Sequence, residues 1–223
     1  VEGTRPLTGA SINRESGFSI VTYTGNATNN ASVGHGLNKE VKFMITKSLD
    51  SGDNWVVHTN ASGTQTYSFL NTTARLETDS VAAPTSSVFY RGTANTINGN
   101  NLDYVAYCWA EIEGYSKFGK FFGNQAADGT YVYCGFKPAF IMLKRSDSTG
   151  NWVILDSARS PINPAYGYLR STSGGGEETA NPIIDFTSNG FKVRNSWTDI
   201  NADGSVIIFA AWAESPFQTA NAK

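Results

Sequence analysis

Charged residues are scarce in this chain of 223 residues. They make up 16% of it, against roughly 25% in typical soluble domains. The net charge is -2 and no cluster of Lys and Arg stands out, so we expect neither a nucleic-acid groove nor an anionic membrane patch. No apolar run reaches the roughly 20 residues of a membrane-spanning helix, so no membrane insertion is expected. Asn, Thr, Ser and Gly supply the polarity instead, a mixture that favours strands and turns.

Histidine and cysteine are equally rare, with two of each. Cys108 and Cys134 lie in apolar, strand-like runs, and two cysteines are too few for a disulfide framework, so we expect buried reduced thiols. A zinc site needs three or four converging ligands, and His35 and His58 have no companions at such spacing. The sequence therefore predicts no metal site and no cofactor.

One motif occurs twice, about 100 residues apart. Residues 43–55, FMITKSLDSGDNW, match residues 140–152, FIMLKRSDSTGNW, without a gap, and each copy is followed by a strand-like run that ends in W-A-E. The shorter matches of YTGN with FFGN and of VGHGL with VYCGF keep the same order. A repeat of this length is too long for a solenoid or a propeller blade, so it indicates a duplicated domain.

The fold predicted from this pattern is all-β. Each copy holds short strand candidates separated by turn signals, which is typical of a β-sandwich. We predict two tandem antiparallel β-sandwich repeats, jelly-roll or lectin-like, over residues 17–114 and 115–223. Residues 1–16 are polar and are predicted to be an irregular N-terminal arm or linker. The alternative is one large concanavalin-like sandwich built from both repeats. Because the chain begins without Met, we expect it to be processed or a piece of a longer protein.

The loops between strands carry turn chemistry. DSGDN and DSTGN resemble calcium loops in composition, but they lack the remaining carboxylates, so we predict plain hairpin turns. Asn98-Gly99 is a further hairpin signal.

Two glutamates are the strongest candidates for catalysis. Glu111 and Glu214 are the equivalent residues of the W-A-E motif, and Glu111 and Glu113 share one strand face, an arrangement related to the paired carboxylates of glycosidases. Duplication weighs against this, because an active-site residue rarely occurs once per copy at a strand end. We predict strand-edge glutamates that pair with Lys or Arg or face solvent. The chain also lacks a nucleophile elbow, so we predict no catalytic residues and no enzyme.

Aromatic residues are the strongest candidates for binding. Equivalent tryptophans occur in both copies and are predicted to be core anchors; these are Trp55, Trp152, Trp109 and Trp212. Trp197, Tyr166 and Tyr168 lie in loops of the second copy and have no clear partner in the first. We therefore predict that these three form a ligand-binding surface able to stack on a sugar ring.

The motifs taken together resemble a domain family found in virion proteins of tailed bacteriophages, especially marine and cyanobacterial phages. The resemblance spans about residues 17–217, and it rests on GFSIVTYTGN, VGHGL, KSLDSGDNWVV, APTSSVF, YVAYCWAEIEGYSKFGKFFGN, DSTGNWVI, FTSNGFKVR and WAESPF. Members occur in tail-fibre-like and other structural proteins, often near lectin-like sandwiches of the concanavalin type. The resemblance brings no catalytic residues with it.

This resemblance implies a non-enzymatic structural module of a phage particle, on a tail fibre, spike or head decoration, that serves in assembly or host-surface attachment. The expected location is the virion surface. The expected partners are other virion subunits in a homo-oligomer, for which a trimer is one option, and a host-surface glycan. The alternative function is a carbohydrate-binding, lectin-like module.

Overall fold

Nearly every regular element is a β-strand in the computed structural model, which describes residues 3–172 and 174–215. The all-β prediction is confirmed. No helix in the described part of the chain is long and apolar enough to cross a membrane. The predicted second repeat ends at residue 223 and the predicted arm begins at residue 1, so the last eight and the first two residues of these segments lie outside the described residues.

The chain divides into two compact units. The first holds the residues up to Leu70 together with Glu77–Glu111, and the second holds Asn71–Leu76 together with the residues from Ile112 onward. The predicted boundary at residue 114 differs from this division by three residues. The larger difference is Asn71–Leu76, which the sequence places inside the first repeat.

The first unit contains nine strands and a one-turn helix. Seven strands form one antiparallel sheet in the order β1-β2-β9-β4-β5-β6-β7, and β3 pairs with β8 in a second sheet. The strands are β1 (Leu7–Asn13), β2 (Phe18–Thr24), β3 (Ala31–Gly34), β4 (Val41–Ser48), β5 (Val56–Thr59), β6 (Thr66–Phe69), β7 (Glu77–Thr78), β8 (Val88–Arg91) and β9 (Asp103–Ala110), and the helix is α1 (Asn95–Asn98).

The second unit contains eight strands and a one-turn helix. Its larger sheet has the order β10-β17-β12-β13-β14, and its smaller sheet has the order β11-β16-β15. The strands are β10 (Ser116–Phe122), β11 (Tyr131–Tyr133), β12 (Pro138–Arg145), β13 (Trp152–Asp156), β14 (Leu169–Arg170), β15 (Ile184–Thr187), β16 (Gly190–Val193) and β17 (Val206–Ala213), and the helix is α2 (Thr198–Asn201).

The segments that match in sequence lie at matching places in the two units. The central strand β9, which ends in the first copy of W-A, lies between β2 and β4, and β17 lies between β10 and β12 in the same way. The smaller sheets match through β3 with β11 and β8 with β16. Each described sheet takes its strands from one unit.

Alternation along the central strands explains the cores. In β9, Tyr104, Ala106, Cys108 and Ala110 are buried in the core of the first unit. This core also contains Phe89 of the smaller sheet, so it lies between the two sheets. Cys108 and Cys134 are buried free thiols, as predicted.

The predictions for residues 7–13 and for Trp55 are wrong. Residues 7–13 of the predicted irregular arm form the edge strand β1, which pairs with β2. Its side chains are mostly exposed, so its sequence lacks the apolar alternation that identifies a strand with one buried face. Trp55 is not a core anchor, because it lies just outside β5 and 38% of its surface is exposed, whereas Trp152 begins β13 and is 1% exposed.

The repeated K-x-x-D-S-x-x-N-W motif closes a hairpin in each unit, as predicted. Its lysine holds the turn: Lys47 Nζ donates to Ser51 O at 2.7 Å, and Lys144 Nζ donates to Gly150 O at 2.5 Å. Lys144 Nζ also reaches Thr73 O at 3.2 Å. The backbone of this turn bonds the same segment, which explains why Asn71–Leu76 belongs to the second unit; the bonds are Gly150 N to Thr73 O and Leu76 N to Ser146 O.

A buried asparagine fastens a loop to the one-turn helix in the first unit. Asn98 Oδ1 accepts from the backbone N–H of Asn26 at 3.0 Å, and Asn98 Nδ2 donates to Thr28 O at 3.0 Å and to Gly92 O at 2.8 Å. The prediction of a hairpin at Asn98-Gly99 is therefore wrong. Asn98 ends α1 and is fully buried, and its side chain satisfies backbone groups that would otherwise be unpaired.

The second unit repeats this arrangement. Asn201 Oδ1 accepts from Asn124 N at 2.9 Å, and Asn201 Nδ2 donates to Ala126 O at 2.9 Å and to Asn195 O at 2.8 Å. The glycine of each TGN or FGN motif fits the same contact. A Cβ on Gly123 would lie 2.2 Å from the carbonyl oxygen of Ala202, so this close approach of two backbones requires glycine.

We expect Asn98→Ala and Asn201→Ala to lower the free energy of unfolding by about 2–4 kcal/mol each, because each leaves buried backbone groups without partners. Chemical denaturation measures the loss, with Asn29→Ala and Asn181→Ala as exposed controls in the same units. A loss no larger than that of the controls would contradict the role assigned to the buried asparagines.

Candidate functional site

Two of the three predicted binding residues contact each other in the second unit. The rings of Tyr168 and Trp197 lie 5.4 Å apart, and the guanidinium of Arg170 lies 5.1 Å from the Trp197 ring and 5.7 Å from the Tyr168 ring. Tyr168 is only 7% exposed, and Trp197 is partly buried against the core. Both rings therefore pack against the protein more than they face solvent.

Polar contacts hold this cluster in place. Tyr168 Oη donates to Glu178 Oε2 at 2.7 Å, and Arg170 donates to the same oxygen at 2.8 Å. Burial raises the pKa of Tyr168, and its hydrogen bond to Glu178 raises that pKa further. Tyr168 thus remains a neutral donor at neutral pH, and its hydroxyl is committed to Glu178.

Tyr166, the third predicted residue, lies apart from this cluster. It is 43% exposed and lines a surface hollow of about 210 Å³. Ile162 is exposed on the same hollow, and Arg159 and Glu177 provide its charges, with Arg159 Nε 3.8 Å from Glu177 Oε1. A flat exposed ring beside polar groups is the arrangement that binds the apolar face of a sugar.

A second concave site, in the first unit, was missed by the sequence analysis. It is a cavity of about 400 Å³, and its lining residues are Val56, His58, Tyr67, Phe69, Asp79, Ser80, Gly92, Thr93, Ala94, Thr96 and Ile97. His58 comes from β5, and Asp79 directly follows β7. The two side chains meet with His58 Nε2 3.2 Å from Asp79 Oδ2.

The core of the first unit also contains a buried arginine. Arg91 is fully buried and donates to Tyr23 Oη at 3.1 Å and to Thr46 Oγ1 at 2.9 Å. Its guanidinium also lies 4.3 Å from the ring centre of Phe89. The strand pairing places Arg91 where the second unit has Val193.

His58 pairs with Met44 in the first unit, and Leu155 pairs with Ile141 in the second. Because Met44 and Ile141 are equivalent in the repeated motif, His58 occupies the position of an aliphatic residue. Extending the ungapped match of residues 43–55 with 140–152 by three residues also aligns His58 with Leu155. Polar residues at positions that are aliphatic in the other copy were therefore a signal for this site.

Burial and neighbouring charges set the protonation of the pair. Burial lowers the pKa of His58, and the charge of Arg91 lowers it further, while Asp79 opposes both effects. Burial raises the pKa of Asp79, but the contact with His58, the backbone N–H of Val81 and the charge of Arg91 together hold that pKa below its usual range. At neutral pH His58 is neutral and Asp79 is ionised.

The candidate catalytic glutamate at the end of the second unit has a structural partner. Glu214 Oε2 lies 2.8 Å from Lys137 Nζ, and both side chains are about half exposed. Pairing of this strand-edge glutamate with a lysine was predicted. Such an exposed pair contributes little to stability.

One comparison with known proteins gives a match. The family model for a domain of unknown function, DUF7483, matches residues 5–216. No curated protein and no solved structure matches the chain.

We expect the free energy of unfolding to fall as the pH is lowered from 7.5 to 5.5. The pKa of His58 and that of His35 are both lowered by burial, so below pH 6.5 the unfolded chain binds protons that the folded chain does not. The slope contributed by His58 is at most about 1.4 kcal/mol per pH unit.

Denaturant unfolding at both pH values measures this, with His58→Gln expected to lose less stability than the parent chain. His35→Gln, which leaves His58 in place, separates the contributions of the two histidines. Stability that rises on acidification would show that the assigned direction is wrong.

Proposed function

The chain belongs to the DUF7483 family, and we propose that it is a non-enzymatic structural module of a tailed-phage virion, on a tail fibre, spike or head decoration. It would stand at the virion surface and act in assembly or attachment to the host. The phage assignment rests on the motif resemblance. The structural features below support the non-enzymatic, assembling part of the proposal.

The observation that carries the proposal is an aromatic edge strand. β11 lies at the edge of its sheet, and Tyr131 and Tyr133 on this strand are both exposed. Phe122, the last residue of the edge strand β10, is also exposed, and its carbonyl oxygen accepts from Thr130 Oγ1 at 2.6 Å. An edge strand has unpaired backbone groups, and exposed aromatic rings are typical of protein interfaces. This surface suits contact with another copy or another virion subunit.

Several polar side chains that could serve chemistry are committed to structure. The buried Lys144 holds a turn, and Asp199 Oδ2 accepts from Asn151 Nδ2 at 2.7 Å. Burial raises the pKa of the Cys108 thiol to about 12, which removes its nucleophilic character. These commitments fit a scaffold.

We expect the purified chain to form a homo-oligomer, with a mass in light scattering that is a multiple of 24.0 kDa. The double variant Tyr131→Ser, Tyr133→Ser is expected to shift the mass toward the monomer, because it removes the exposed rings of β11. Leu49→Ala is the matched control, since Leu49 is an exposed apolar residue of the first unit. A parent chain that remains monomeric at high micromolar concentration would contradict self-assembly.

A second candidate function is carbohydrate binding at the hollow around Tyr166. The exposed ring and the neighbouring Arg159 and Glu177 favour it. Of the three predicted residues, Tyr166 is the one whose ring is free to stack on a sugar. We propose that Tyr168 and Trp197 support the loop, because their rings pack on each other and on Arg170.

On a glycan array, we expect Tyr166→Ala to weaken binding of a bound glycan at least tenfold while leaving the melting temperature unchanged. Trp197→Ala should instead lower the melting temperature, because Trp197 packs against the core. Leu49→Ala again serves as the exposed control. Binding that survives Tyr166→Ala would exclude the hollow as the glycan site.

A further inference from the structure

The cavity of the first unit has a buried floor and an open mouth. His58, Val56 and Ile97 are buried, whereas Ser80, Thr93 and Ala94 at its other end are exposed. A volume of about 400 Å³ falls within the roughly 300–1,000 Å³ of small-molecule sites. His58 and Asp79 thus line a cavity that opens to solvent at Ser80, Thr93 and Ala94.

His58 and Asp79, at the floor of the cavity, have incomplete hydrogen bonding among the described residues. Because His58 Nε2 lies 3.2 Å from a carboxylate oxygen, Nε2 carries the proton of the neutral ring, and Nδ1 is left as an acceptor. The contact is long, and among the described residues neither His58 Nδ1 nor Asp79 Oδ2 has a well-aligned hydrogen-bond partner. His58 is 2% exposed, so an unfilled acceptor there costs free energy. The floor thus calls for a ligand that donates hydrogen bonds.

Charge indicates that this ligand is neutral. The side-chain partners of Arg91 are uncharged, namely Tyr23, Thr46 and Met44. Arg91 acts electrostatically on both His58 and Asp79, so its positive charge offsets the carboxylate. A cation would compete with Arg91, and an anion would be repelled by Asp79.

The walls are aromatic and half buried. The Tyr67 ring lies 6.2 Å from the His58 ring and 6.1 Å from the Phe69 ring. The mouth adds the hydroxyls of Ser80, Thr93 and Thr96. We propose that this cavity binds a small neutral polyhydroxylated ligand of the size of a sugar unit, with hydroxyls donating to His58 and Asp79 and its apolar face against Tyr67 and Phe69.

The site belongs to the first unit alone. The second unit has Leu155 and Val193 where the first has His58 and Arg91, so it lacks both polar groups at these two positions. The residue before the one-turn helix also differs, since the exposed Ala94 precedes α1 and the larger Trp197 precedes α2. This inference is independent of the hollow around Tyr166 and of the proposed virion role.

The test is an NMR titration of the full chain, labelled with ¹⁵N in its histidine rings. The probes are glucose, galactose, mannose and N-acetylglucosamine, with glucosamine as a cationic match and glucuronate as an anionic match. We expect at least one neutral sugar to move the Nδ1 resonance of His58 saturably, because a hydroxyl donates to that nitrogen. His35 is the internal control, since its Nδ1 already accepts from Leu37 N at 3.3 Å.

Two variants locate the binding. Ala94→Trp places at the mouth the residue type that the second unit has before α2, and we expect it to weaken binding at least tenfold with the melting temperature retained. Asp79→Asn removes the carboxylate and should also weaken binding of the neutral sugar. Tyr166→Ala should leave the His58 response unchanged, so failure at this cavity and failure at the hollow are distinguishable.

Four outcomes would overturn the inference. They are the absence of any saturable change at His58 with every neutral sugar, a response to glucosamine or glucuronate alone, unchanged binding in Ala94→Trp, and loss of the response in Tyr166→Ala.

Discussion

A loop that passes over a packed sheet must find partners for its buried backbone groups, and in each unit one asparagine provides them. Asn98 and Asn201 each serve three backbone groups, two as a donor and one as an acceptor. The one-turn helices that end at these asparagines are too short to be stable alone. Their position depends on these contacts, and so do the residues that the neighbouring loops present, such as Ala94 and Trp197.

The two units share a strand order but differ in the side chains that they bury. The strand order and the asparagine contacts agree, yet the second unit has Leu155 and Val193 at the positions where the first has His58 and Arg91. Arg91 cannot lose its charge, so its place requires hydroxyl partners and an aromatic face. Such a polar interior is less favourable than an aliphatic one unless every group is satisfied, and the ligand that we propose for the cavity would complete the hydrogen bonds of His58 and Asp79.

The structural features that could be predicted from the sequence are those that depend on local apolar patterns and on the internal repeat. The apolar runs around Cys108 and Cys134 predicted that both thiols are buried, and the repeated motif predicted the matching hairpins. Prediction from the sequence failed where the deciding partner is distant in the chain. Asn98-Gly99 is a sequence typical of a hairpin turn. Asn98 is buried instead because its side chain accepts a hydrogen bond from the backbone of Asn26, which is distant in sequence. Tyr168 is typical of a binding loop until Arg170, Glu178 and Trp197 enclose it. The pairing of His58 with Asp79 likewise joins β5 to the residue that follows β7.

The segment Asn71–Leu76 makes the second unit depend on chain that precedes its own strands. The second unit takes backbone contacts from it at Thr73 and Leu76, although the segment precedes the boundary between the repeats. A gene cut at the repeat boundary would therefore leave the ammonium of Lys144 and the turn at Gly150 without part of their bonding. A second half that begins at the repeat boundary would consequently lack bonds that it has in the full chain.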